Sequence, residues 1–153
     1  MKTDRKEKKR IEVVGLAKKL LGVPYKYGAT MEEAPKYFDC SSFTKYIYKQ
    51  FGYEIPRSTL LQATYAGKKV KKLEDIKLGD LLFFTGNAGH YNKKYPQGIG
   101  HMALYIGNND CLHATAKRLK DYPKIIEKGS VKKESLLSLI KKKGNVVVIK
   151  RIV

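Results

Sequence analysis

The chain reads as an α+β domain, with helices packed on an antiparallel sheet, the helices coming first. Two observations predict this. Up to about Ala66 the apolar residues recur at helical spacing; after Asp80 they form short, dense runs separated by turn residues. Helical segments followed by strands, rather than alternating with them, indicate α+β. The 153 residues are 42% hydrophobic with eleven Tyr and five Phe, enough for one core, so 1–153 is read as a single domain.

Each element has its own local signal. Residues 5–21 are predicted helical because Ile11, Val14, Ala17, Leu20 and Leu21 share a face, and Gly22-Val23-Pro24 ends the run. Residues 25–34 form a turn-rich approach. Asp39 is a good N-cap, and Cys40, Phe43, Ile47 and Phe51 line one face of a second helix that Gly52 stops. Pro56-Arg57-Ser58 opens a short helix over 59–66, closed by Gly67. Residues 80–84 are a strand and 86–98 a long loop rich in Gly, Asn and Tyr. Residues 101–106 and 111–116 are strands joined as a hairpin through the turn 107–110. A strand over 124–127, an amphipathic helix over 133–142 and a last strand over 146–153 complete the reading. No internal repeat or linker is visible.

The formal charge is +18, from 32 Lys plus Arg against 14 Asp plus Glu. Basic clusters stand at 8–10, 68–72, 132–133 and 141–143. Each cluster alone reads as a solvated lysine surface. Their sum implies weak attraction to anionic polymers, with no specific nucleic-acid site. No apolar run approaches a membrane span. Residues 1–10 are charged, with no signal-type apolar segment behind them. The expected location is the cytoplasm, or the envelope or exterior if a signal has been removed. A monomer is expected.

There are only two cysteines and three histidines. Cys40 opens a predicted helix, where amide dipoles favour thiolate over thiol, and a neighbouring imidazolium would lower its pKa further. Taken alone, Cys40 reads equally well as a buried structural cysteine beside Phe43 and Ile47. His101 alone reads as a surface residue at a strand start. His113 lies two positions after Cys111, so the two share a strand face, and the hairpin sets His113 beside the strand of His101. Together the three residues have the form of a nucleophile, a base and an orienting group. His90 reads as a plain loop residue. A zinc site of Cys40, His101 and His113 lacks the paired-ligand spacing such sites use. Nothing in the spacing of Cys40 and Cys111 requires a disulfide.

Six motifs, in order from about residue 20 to 116, resemble those of the NlpC/P60 family of cell-wall cysteine peptidases, which share a papain-like fold. Leu21-Gly22-Val23-Pro24-Tyr25-Lys26-Tyr27-Gly28 resembles lGtPYxxGG, and Asp39-Cys40-Ser41-Ser42-Phe43 resembles DCSGF. Gly52 to Ser58 resembles GxxLPRx, and Leu78-Gly79-Asp80-Leu81-Leu82-Phe83 resembles pGDLxfF. Gly100 to Asn108 resembles xHVgiYlGnG, and Leu112-His113-Ala114 resembles fiHA. Residues 117–153 carry no motif and are read as an extra strand-helix-strand region.

The resemblance implies an enzyme without a cofactor that hydrolyses peptidoglycan stem peptides through a thioester, cutting the γ-D-glutamyl–diamino acid bond. It makes Cys40 the nucleophile, His101 the base and then acid, and His113 the polar third member. It makes Tyr25 a neighbour of the nucleophile, its hydroxyl aiding the oxyanion site with the Cys40 amide. Asp39 and Ser41 match positions that hold a free substrate amine in some members; Arg57 and Ser58 join them as substrate-binding candidates. Two departures bear on substrate fit: Ala29 stands where a second Gly is usual, and Ser42 replaces the Gly of DCSGF. The alternatives are an amidase of the related CHAP type, in which Glu or Asn is more common than His as third residue, and a non-catalytic binder of anionic wall polymer.

Overall fold

The computed structural model describes residues 4–86, 89–120 and 126–153. Helix α1 (Arg5–Lys19) starts at Asp4, whose carboxylate accepts from the Lys6 amide, and buries Val13, Val14 and Ala17. It ends two residues short of the expected boundary, because the Leu20 and Leu21 amides bond back to Ala17 and Lys18 and the chain then turns at Gly22, φ +87°. Helix α2 (Cys40–Lys49) and helix α3 (Thr59–Tyr65) begin where their caps, Asp39 and Ser58, predict.

Six antiparallel strands form one sheet: β1 (Lys68–Lys69), β2 (Leu81–Phe84), β3 (His101–Gly107), β4 (Asp110–Lys120), β5 (Ile126–Ser135) and β6 (Val146–Arg151). Their spatial order is β1-β6-β2-β3-β4-β5. Both faces are covered. Leu81, Phe83, Met102, Leu104, Leu112 and Ala114 pack with Val13, Ala17, Phe43 and Ile47 of α1 and α2. Leu82, Phe84, Ala103, Tyr105 and Cys111 pack on the other side with Leu136 and Leu139 of helix α4 (Leu136–Lys143). This explains why β2 and most of β3 read as continuous apolar runs rather than alternating ones.

The β3–β4 hairpin turns through Asn108 and Asn109, both left-handed at φ +52° and +60°, the conformation that short-side-chain Asn tolerates in a two-residue turn. Beyond it the structure departs from expectation. Strand β4 runs to Lys120 instead of residue 116, and β5 runs from Ile126 to Ser135 instead of stopping at 127. The proposed strand over 124–127 falls partly outside the described residues. The helix expected over 133–142 begins only at Leu136: residues 132–135 are paired to β4, and Ser135 caps the helix by accepting from the Ser138 amide. Ladder bonding to a long neighbouring strand outweighs the helical period of these residues, a choice local pattern does not reveal. The short β1 and the 3₁₀ turns at Met31–Glu33 and Leu73–Asp75 carried no signal in the sequence reading.

Residues 117–153 are therefore not an appendage. They supply β5, α4 and β6, and β6 lies between β1 and β2. The buried carboxylate of Asp80 accepts two hydrogen bonds from Arg151 (2.9 and 2.8 Å) and one from the Lys77 amide, joining β6 to the start of β2.

Candidate active site

Cys40 is the first residue of α2. Asp39 before it accepts from the Ser42 amide (2.8 Å), and the Ser42 hydroxyl accepts from the Asp39 amide (2.9 Å), a reciprocal cap. The Ser in place of the family's Gly thus has a job: its fully buried hydroxyl completes the cap that orients the first turn. Helix α3 is locked against this turn through buried Gln62, which donates to the Ser41 carbonyl (2.9 Å) and accepts from Thr44 (2.9 Å).

The cleft above Cys40, about 870 Å³, is lined by Tyr25, Tyr27, Asp39, Ser41, Arg57, Ser58, Thr59, Gly89, His90 and Tyr91 among others. Every expected substrate-binding residue lies there. Asp39, however, arrives already paired: Arg57 donates to it (2.7 Å), and also to Ser41 Oγ (2.8 Å) and the Ala29 carbonyl. Ser58 is engaged as the cap of α3, accepting from the Leu61 amide. His90 and Tyr91 belong to the loop before β3. This loop is pinned to α3 by Tyr95, which donates to the Ala63 carbonyl (3.0 Å), and by Asn92, which donates to Thr64 (3.1 Å). Gly89, His90 and Tyr91 of this loop wall the cleft.

His101 and His113 are both buried, and His101 Nε2 lies 2.8 Å from His113 Nδ1, the rings edge to face. Both occupy the sheet face that carries Ala103, Tyr105 and Cys111, as the shared strand parity requires. Burial, and then the neighbouring His113, depress His101 well below the usual imidazole range. Burial brings His113 down to about 4, against the opposing pull of Glu134.

Cys40 Sγ lies 3.3 Å from the Thr59 hydroxyl; among the described residues no hydrogen bond joins it to the His101 ring. Burial raises its pKa above the ordinary thiol value, with the Asp39 charge adding to the rise. Desolvation therefore opposes the thiolate that the helix start favours. Tyr25 is placed as expected. Its phenol is raised first by burial and then by the proximity of Cys40.

Two residues of the site escaped the sequence reading. Thr59 was seen only as the start of a helix. Glu134 falls within the expected 133–142 helix, yet it sits on β5 opposite Cys111, and its carboxylate meets His113 Nε2 at 3.0 Å. Its signal was available: it is the lone acid between Lys128 and Lys143. Burial alone would raise Glu134, but Lys142, Ser138 and His113 outweigh it and hold the carboxyl at about 2. Among the described residues, no group of three or more His, Cys, Asp and Glu side chains is gathered to hold a metal ion. No helix among them is long and apolar enough to cross a membrane.

The model of the NlpC/P60 family matches residues 22–137. The chain is 43% identical over 94 residues to a "Gamma-D-glutamyl-L-lysine dipeptidyl-peptidase" of Bacillus subtilis, covering 61% of this chain and 28% of the relative. It is 33% identical over 108 residues to "Probable endopeptidase p60" of Listeria innocua, covering 71% of this chain and 20% of the relative. The chain thus spans well under a third of the curated relatives it matches. Among solved structures, the NlpC/p60 domain of the peptidoglycan hydrolase SagA superposes with a TM-score of 0.65 at 29% identity, covering 93% of this chain and 97% of that one. The matched segment runs from Gly22 to Leu137 and contains Cys40, His101, His113 and Glu134, and the chain belongs to the NlpC/P60 family.

Proposed function

We propose that this chain is a cysteine peptidase domain that hydrolyses peptidoglycan stem peptides at the γ-D-glutamyl–diamino acid bond. The observation that carries the reading is a cysteine at a capped helix start, in an open cleft, with a buried imidazole pair at the beginning of the adjacent strand β3. On attack, the Cys40 thiol leaves Thr59 and passes its proton to His101 Nδ1 as sulfur adds to the carbonyl carbon. The Cys40 amide and the Tyr25 hydroxyl stabilise the oxyanion. His101 then gives the proton to the leaving amine, the C–N bond breaks and a thioester forms. Water, deprotonated by His101, releases the acid and restores the thiol. A neutral thiol and neutral imidazole suit this general-base route, because the proton moves only as the nucleophile engages.

The pairing of Asp39 with Arg57 bears on specificity. A substrate ammonium would share a carboxylate already neutralised, so the cleft is read as accepting stem peptides with or without a free L-alanine amine. Residues 1–153 act as one catalytic domain, working as a monomer. Lysines 6, 68, 69, 71 and 77 line a second groove of about 1200 Å³, which supports weak, salt-sensitive attraction to anionic wall polymer alongside catalysis. The CHAP-type amidase reading is disfavoured by His113 as third residue, and a binding-only role by the intact Cys–His–His set.

The test is digestion of muropeptides of defined structure, with fragments read by mass spectrometry. Fragments ending in D-glutamate support the reading. Release of intact stem peptide from the sugar would establish the amidase, and retention on wall polymer without cleavage the binder.

A further inference from the structure

The Cys–His–His set ends, in the reading above, at His113. The structure continues it. In the β4–β5 register Glu134 stands opposite Cys111, one diagonal step from His113 on the same sheet face. One carboxylate oxygen, Oε1, lies 3.0 Å from His113 Nε2, while the other, Oε2, takes the Ser138 hydroxyl and the Lys142 ammonium (2.8 Å). Serine and lysine one and two turns into α4 thus hold the carboxylate in place.

We propose that Glu134 is a positioning residue that sets the direction of the hydrogen-bond chain running from it through His113 to His101. A carboxylate can only accept. His113 must therefore carry its hydrogen on Nε2 and leave Nδ1 bare. His101, 2.8 Å away, must then donate from Nε2, which leaves its own Nδ1 as the one free base nitrogen of the pair. Without a carboxylate the chain can run backwards. His113 would then donate from Nδ1 to His101 Nε2, and His101 would carry its hydrogen on Nδ1, where it cannot take a proton from the thiol. Lys142 makes this a defined alternative. In Glu134→Gln, the ammonium selects the amide oxygen for the Oε2 position and turns the amide NH₂ toward His113. The substitution keeps the shape and reverses the polarity.

The catalytic half of this inference rests on the proposed hydrolysis, but the tautomers are readable without it. The experiment records ¹⁵N–¹H spectra of histidine-labelled wild type, Glu134→Gln and the double variant Glu134→Gln/Lys142→Met, and measures their muropeptide turnover. The expected wild type shows His101 and His113 both protonated on Nε2. Glu134→Gln should move both hydrogens to Nδ1 and lower turnover about 10- to 100-fold with little change in KM. The double variant, free to flip its amide, should regain part of both signals. Wild-type tautomers in folded Glu134→Gln would overturn the proposal, and so would reversed tautomers with undiminished turnover. If wild type cleaves no muropeptide at all, the proposed function fails, while the spectra still decide what Glu134 sets.

Discussion

His101 Nε2 and His113 Nδ1 meet at 2.8 Å inside the sheet, neither imidazole exposed by more than 7%. Two rings this close and this dry cannot both be protonated, and burial holds each below the usual imidazole range. Their roles still differ, because only His101 sits at the end of β3 that Cys40 reaches.

Removing them should therefore have unequal effects. His101→Ala should abolish turnover, since it removes the proposed base for the thiol. His113→Ala should reduce it by about 10²- to 10⁴-fold, and His113→Gln or Asn should recover part through a carbonyl acceptor. Steady-state turnover of one muropeptide, with folding checked by circular dichroism, decides this. A folded His113→Ala with wild-type turnover would remove His113 from the site.

Alkylation reads the state of the resting thiol. Burial raises Cys40 and pushes Cys111 up to about 12, and Cys111 has no exposed surface. Iodoacetamide labelling of Cys40 should climb with pH through the alkaline range, while Cys111 stays unlabelled until the protein unfolds. The site assignment comes from mass spectrometry of digested protein. A Cys40 rate already at its plateau below pH 7 would mean a resting thiolate–imidazolium pair instead.

Stability should fall as the solution is acidified. The unfolded imidazoles bind protons near 6.5, whereas burial keeps His101 far lower and His113 at about 4. Below 6.5 the unfolded chain binds more protons than the folded one, so stability is complete above that pH and is lost as pH falls toward 4. Glu134 acts in the same direction lower down, between its usual 4.5 and about 2. Melting temperature against pH should show the slope, and His113→Gln should flatten its upper part. An unchanged slope in that variant would assign the acid sensitivity to other groups.

The cleft wall offers a separation of binding from folding. Tyr91 is 73% exposed at the cleft, whereas Tyr95 is 6% exposed and hydrogen-bonded to α3. Tyr91→Ala should raise KM with stability changed by less than about 0.5 kcal/mol. Tyr95→Ala should cost about 3 kcal/mol through the cavity it leaves. Urea unfolding and muropeptide kinetics distinguish them. Equal destabilisation by both would make the loop packing rather than a wall.

The sequence by itself determined the elements whose causes are local. Asp39 and Ser58 placed the starts of α2 and α3, the Asn108-Asn109 turn placed the β3–β4 hairpin, and the motifs around Cys40, His101 and His113 marked the candidate site by resemblance. Only the tertiary structure decided what depends on who lies alongside. Pairing with β4 turned residues 133–135 from an expected helix start into strand β5, and that one change brings Glu134 to His113. Burial acts on protonation in the same way. A helix start favours a thiolate, but packing against Thr59 opposes it by desolvation and raises the Cys40 pKa. Helix caps and turns act over a few residues and can be read along the chain; strand partners and desolvation come from residues far apart in sequence, and exist only once the sheet has closed around them.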